Sequence, residues 1–170
     1  MTTTFGVDPI RAEVSHLVER LRAGEVIDRR AERTWVDLKE EAGRRNRHGD
    51  VAPGSPENEE AARQLAAASA CMANTPGGGA LIVGVADDGT RIGAELDAEW
   101  LRHRIYELTR RLLTVDVTET VVRGVRLLVL VSPRAVEPVR TNDRIFWRVD
   151  DHCVEVDAAT WHAGRKKKKM

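Results

Sequence analysis

Apolar residues at Ile10, Val14, Leu17, Val18 and Leu21 recur every three to four positions, the period of one helical face. Asp8-Pro9 ahead of them supplies a capping carboxylate and a proline at the first helical position, and Gly24 marks the stop. The spacing predicts an amphipathic helix packed on another element. From Thr34 to Lys39 the period falls to two, which predicts a short strand. Glu40 to Gly54 has neither period. It is polar, arginine-rich and closed by Ala52-Pro53-Gly54, the composition of a long flexible loop.

Ser55-Pro56 repeats the cap-plus-proline signal and predicts a second helix, with Glu57, Glu59 and Glu60 near its positive end. Leu65, Ala66, Ser69, Ala70 and Ala73 give this helix a face of small residues, suited to close approach to a sheet. Asn74 to Gly79 ends it, with Asn74 read as a left-handed C-terminal cap and Gly77 and Gly78 as turn residues. The continuous apolar run Ala80 to Ala86 follows, a strand buried on both faces, in which Gly84 signals close approach by another backbone or a ligand. Asp87-Asp88-Gly89-Thr90 reads as a turn.

Asp97 caps a third predicted helix with the stripe Leu101, Ile105, Leu108 and Leu112. Val115–Val122 and Val125–Val131 are β-rich runs joined at Arg123-Gly124, a hairpin. Pro133 and Pro138 interrupt the chain before a last strand at Ile145–Val149, and Asp157–Trp161 reads as a short terminal helix. The order helix, strand, helix, strand, helix, hairpin, strand predicts an α/β (mixed α+β) single domain, one mixed sheet packed by helices.

Apolar content of 42% beside 32% charged residues is that of a globular chain. No apolar run approaches the ~20 residues of a membrane span, and the N-terminus lacks a secretory pattern, so the cytoplasm is the expected location. Lys and Arg number 27, as do Asp and Glu, so any attraction for polyanions must come from local clusters. Arg44, Arg45 and Arg47 form one; Arg102, Arg104, Arg110 and Arg111 a second; Arg165 to Lys169 a third. Cys71 and Cys153 show neither a CxxC pair nor zinc-ligand spacing, and Cys71, in an alanine-rich stretch, reads as a small buried thiol. The five histidines are scattered and form no Ser/His/Asp or Cys/His arrangement.

Four segments together resemble the AlbA-type domain of the Schlafen family. They are Glu32 to Lys39 (ERTWVDLK), Ala67 to Gly78 (AASACMANTPGG), Leu81 to Gly93 (LIVGVADDGTRIG) and Phe146 to Val149 (FWRV). The resemblance covers about residues 30 to 156. Together with the N-terminal periodicity and the uncapped basic run at the end, it divides the chain into an N-terminal amphipathic helix in 1–27, a Schlafen AlbA-like domain in 28–163 and a basic tail in 164–170, expected to be disordered. Such domains often pair, here through the third helix or the last hairpin, and are commonly fused to other domains.

The resemblance implies nucleic-acid handling, with two versions. In the first the chain binds RNA or DNA backbone without cutting it, through Lys39, Arg44, Arg45 and Arg148. In the second it is an endoribonuclease whose carboxylates Glu32, Asp37 and Asp87 (or Asp88) hold Mg²⁺ or Mn²⁺, which polarises phosphate and activates water. The second acid is aspartate where the family usually has glutamate, so its carboxylate reaches less far. A third class, ATP binding, draws on the P-loop-like glycine spacing of Gly84 and Gly89, although Thr90-Arg91 stands where lysine then serine or threonine belongs.

Overall fold

The computed structural model describes residues 8–28, 31 and 34–167. The N-terminal periodicity becomes α1 (Asp8–Arg22), and the alternation after it becomes β1 (Val36–Lys39). Next come α2 (Glu59–Asn74), β2 (Gly79–Val83) and α3 (Ala98–Leu108). The hairpin is β3 (Asp116–Val122) and β4 (Val125–Ser132), turning at Arg123 and Gly124, both with positive φ as a tight two-residue turn requires. β5 (Arg140–Thr141), β6 (Arg144–Val149), β7 (His152–Val156) and α4 (Ala158–Lys167) follow.

Four strands form a mixed sheet in the order β1-β2-β4-β3, with β1 parallel to β2 and the other pairs antiparallel. The period of two sorts the strands between two cores. Ala80 and Ile82 of β2 pack with α1 residues such as Leu17 and Leu21, whereas Leu81 and Val83 pack with Leu65, Leu101 and Ile105 of α2 and α3. Burial on both faces is why β2 is apolar throughout. On β1 the same alternation sends Val36 and Leu38 toward α1 and therefore turns Asp37 and Lys39 to the opposite face.

The α/β class, the single domain and the mixed sheet agree with the sequence pattern, but several local expectations are corrected. The strand at Ile145–Val149 does not join the main sheet; it is the centre of a separate three-stranded sheet, β5-β6-β7. β7 carried little signal because four of its five residues are exposed. Helix α2 starts at Asn58, whose Oδ1 accepts from the Ala61 N–H at 3.2 Å, and not at Ser55-Pro56. The Pro56 carbonyl instead accepts from the Asp97 N–H at 2.9 Å, tying that turn to the start of α3. α3 stops at Leu108, where the Thr109 hydroxyl donates to the Ile105 carbonyl, so Leu112 is exposed and Leu113 enters the core in its place.

The 40–54 segment is a closed turn, not a flexible loop. An isolated bridge joins Arg45 to Val51, and Asn46 Oδ1 accepts from the His48 and Asp50 N–H groups at 2.9 and 3.0 Å. The basic run at the C-terminus begins inside α4, which extends through Lys167, so its first residues are helical where disorder was expected. Residues 168–170 lie outside the described residues.

Cys71 is not a free thiol. It forms a disulfide with Cys153, Cα to Cα 6.2 Å, which fastens the buried core of α2 to the exposed strand β7. Disulfides are rare in reducing compartments, so this bond lends the cytoplasmic expectation no support. Among the described residues no helix is long and apolar enough to cross a membrane.

Candidate nucleic-acid interface

The site is organised by the end of α2. Asn74 stays in the last helical turn; the left-handed residues are Gly77 and Gly78, beyond the cap Thr75. Its expected role as a left-handed cap is therefore corrected. The Asn74 side chain instead clamps the second sheet: Oδ1 accepts from the Val139 N–H, and Nδ2 donates to the Val139 and Phe146 carbonyls at 2.8 and 2.9 Å. The Trp161 indole N–H of α4 donates to the Asn74 carbonyl at 3.1 Å. Thr75 Oγ1 accepts from the Arg148 backbone N–H at 2.9 Å and donates to the Cys71 carbonyl at 2.7 Å.

That scaffold delivers Arg148 to Asp37. Asp37 is 5% exposed, and its Oδ2 accepts from Lys39 Nζ at 3.0 Å and from Arg148 Nη1 at 3.1 Å. A carboxylate withdrawn from water needs such charge partners. Arg148 Nε donates to the Asp150 carbonyl at 3.2 Å, and the side chain is buried. The expectation that Arg148 meets a phosphate at the surface is corrected: it is a positioning residue for Asp37. Lys39 keeps 42% of its side chain exposed.

Arg44 is also corrected from a phosphate contact to an internal strut. It is buried, donating from Nε to the Ala52 carbonyl at 3.0 Å and from Nη1 to the Gly93 carbonyl at 2.9 Å, and it pairs with buried Glu41. Arg45 is partly exposed and donates from Nε to Glu40 Oε1 at 2.7 Å. That hydrogen bond first, then the charges of Glu40 and Asp88, raise its pKa and keep it cationic. Arg47 and His48 are exposed beside it.

The acidic turn starts where β1 ends. The Gly84 N–H donates to the Lys39 carbonyl at 2.7 Å, so Lys39, Arg45 and the Asp87-Asp88 turn share one end of the sheet. Asp87 and Asp88 are exposed. The Thr90 N–H donates to Asp88 Oδ1 at 2.9 Å; hydrogen bonds from Thr90, and then the charge of Arg45, hold the Asp88 carboxyl below the usual carboxylate range.

The described residues by themselves assemble neither expected ligand site. Glu32 lies outside the described residues, and among the described residues no group of three His, Cys, Asp or Glu side chains could hold a metal ion. With Asp37 already shared by two cations, the described residues do not fit Mg²⁺ or Mn²⁺. Gly84 to Thr90 lacks the strand–loop–helix geometry of a P-loop, because no helix follows it until Ala98. The Gly84 carbonyl accepts from the Ile92 and Gly93 N–H groups at 2.8 and 2.9 Å, folding the segment onto itself. A Cβ on Gly84 would lie 2.8 Å from Leu127 Cδ2 and 3.1 Å from the Gly93 carbonyl carbon, so the close approach read from Gly84 is made by the Leu127 side chain and another stretch of backbone. Gly89, also with positive φ, packs against Val26 and Ile27.

Sequence reasoning missed three contributors. Thr75 stood in the quoted motif without a role. The two cysteines carried a signal in their even number. Glu41 carried none, because its burial depends on Arg44 and on Glu95, whose N–H donates to Glu41 Oε2 at 2.8 Å.

These features define an α/β module whose helix end, Asn74-Thr75, suspends a small sheet beside the main one and so seats Arg148 against Asp37. Residues 32–157 match the family model described as Schlafen, AlbA_2, and the chain belongs to that family. It is similar to the crystal structure of the DIP2311 protein from Corynebacterium diphtheriae, with 44% identity and a TM-score of 0.80. The match covers 93% of this chain and 32% of that one, so the present chain spans about a third of that protein's length. No curated protein matches the chain.

Proposed function

We propose that this chain binds the phosphate backbone of RNA or DNA at the end of β1, through Lys39, Arg45 and Arg47, without cutting it. The observation that carries the reading is the sharing of Asp37 between half-exposed Lys39 and buried Arg148. A phosphate can draw Lys39 away while Arg148 goes on holding the buried carboxylate. The same sharing disfavours Asp37 as a metal ligand, which supports binding over metal-assisted cleavage. Membership of the Schlafen, AlbA_2 family supports nucleic acid as the polyanion.

The test is incubation of the chain with labelled tRNA and duplex DNA, in Mn²⁺ or in EDTA, across a salt series. Log affinity is expected to fall linearly with log salt. Replacing Lys39, Arg45 and Arg47 together by alanine is expected to reduce the slope by about 2 to 3, at roughly 0.7 to 0.9 per lost phosphate contact. Affinity indifferent to salt, or to the triple substitution, would overturn the reading. RNA cleavage in Mn²⁺ that EDTA abolishes would replace it with the nuclease alternative, and saturable ATP binding at the Gly84–Thr90 turn with the nucleotide-binding one.

A further inference from the structure

A second cationic surface lies in a cleft of about 700 Å³ between α2, the end of α3 and the β5–β6 turn. Arg63 of α2, Arg110 just past α3 and Arg140 of β5 line it, with Asn142 and Asp143. All three arginines are exposed. They come from positions far apart in the chain, and the packing of both α3 and the second sheet on α2 brings them together.

The backbone around this cleft is unusual. Arg110 and Arg111 have φ of 55° and 64°, and Asn142 and Asp143 have φ of 51° and 63°. Asn and Asp tolerate this left-handed region, whereas two consecutive arginines in it are uncommon. The arrangement has a local electrostatic effect. The Arg110 and Arg111 N–H groups donate to the Glu107 and Tyr106 carbonyls at 3.1 and 2.8 Å. The negative end of α3, which would repel an anion, is thereby capped.

The acids nearby leave these guanidinium groups available. Asp143 is the carboxylate lining the cleft among the described residues, and its pair with Arg110 at 3.3 Å is exposed on both sides. Such pairs are weak and readily exchanged. Glu59 approaches Arg63 at 3.6 Å but is committed to Arg104, which donates to it from Nε and Nη2. That bond, first, holds the Glu59 carboxyl below the usual range. Among the described residues Arg140 Nη1 donates a long bond, 3.4 Å, to the Asp143 backbone carbonyl.

We propose that this cleft is a phosphate-binding site, in which Arg63, Arg110 and Arg140 converge on one phosphoester group. Guanidinium groups bind phosphate through paired, charge-assisted hydrogen bonds, and a cleft of this size admits a nucleotide. The phosphate can belong to a free nucleotide or to a nucleic-acid chain. The site does not rest on the Lys39 surface.

Arginine side-chain Nε–H resonances of the full chain, followed by NMR, test it. The titrants are inorganic phosphate, AMP and a 12-nucleotide single strand, with sodium chloride at matched ionic strength as control. Saturable shifts at Arg63, Arg110 and Arg140 with the phosphate ligands are expected. AMP and the oligonucleotide binding alike identifies a free-nucleotide site; at least tenfold tighter binding of the oligonucleotide identifies a nucleic-acid one. Arg140→Gln is expected to weaken binding about tenfold, the loss of one contact to a charged group. Arg110→Gly is expected to do the same while leaving Tm unchanged or higher, because glycine suits that φ. Shifts no different from those in chloride, or affinity unchanged in both variants, would overturn the proposal. Loss of oligonucleotide binding on the Lys39, Arg45 and Arg47 substitutions, with phosphate still bound in the cleft, would separate the two surfaces.

Discussion

Asn74 and Val139 are joined by two hydrogen bonds, Val139 N–H to Asn74 Oδ1 and Asn74 Nδ2 to the Val139 carbonyl, each 2.8 Å long and buried. Through this pair the last turn of α2 acts as an extra backbone partner for the segment entering the second sheet. Asn74→Ala would leave the Val139 N–H and carbonyl and the Phe146 carbonyl without these partners. The expected cost is about 3 kcal/mol, the range for several buried polar groups losing their partners. Urea unfolding checks it, and a midpoint within error of the parent would show that the clamp is dispensable.

The two cations on Asp37 are expected to behave oppositely on mutation. Arg148→Ala removes the buried partner of a buried carboxylate, leaving it to half-exposed Lys39, and is expected to destabilise by about 3 kcal/mol. Lys39→Ala removes a half-exposed partner and is expected to cost less than about 1 kcal/mol, while lowering nucleic-acid affinity. Equal stability losses in the two variants, read from the same denaturation curves, would contradict the assignment of Arg148 as a positioning residue.

The disulfide makes a direct chemical claim. Alkylation of the native chain without reductant is expected to modify neither Cys71 nor Cys153; after unfolding and reduction it modifies both. Cys153→Ser is expected to lower stability by about 2 to 4 kcal/mol, with 82 residues separating the bonded pair. Intact-mass spectrometry of the alkylated protein decides the first point. Two labels in the unreduced native state would refute the bond.

Glu59 carries a pH signature. Its folded-state pKa lies below the ordinary carboxylate value, chiefly because Arg104 donates hydrogen bonds to it. A depressed pKa means that its contribution is present above the unfolded-state value and is lost as pH falls through the folded one. The acid limb of stability against pH is therefore expected to be shallower in Glu59→Gln than in the parent below about pH 4.3, the ordinary glutamate value. Parallel acid limbs would remove Glu59 from the account.

Much of the fold was legible in the chain because its signals are local. The period of α1, the two-sided apolarity of β2, the Asp97 cap and the Arg123-Gly124 turn depend on neighbours within a few residues. The site was less legible. Asp37 and Lys39 could be selected by their pattern, but nothing near Arg148 in sequence indicates that its guanidinium is internal. The loop at 40–54 misled for the same reason: polar composition suggested flexibility, while Arg44 was holding the loop carbonyl of Ala52.

By itself, then, the sequence determined an α/β domain of the Schlafen, AlbA_2 family, the strands that are buried and the short list of charged residues worth weighing. Only the tertiary structure decided which of those charges reach solvent. It turned Arg44 and Arg148 inward, joined Cys71 to Cys153, and gathered Arg63, Arg110 and Arg140 around one cleft. The reason is range: secondary structure follows from spacing along the chain, whereas the environment of a charge is set by the distant segments folded against it.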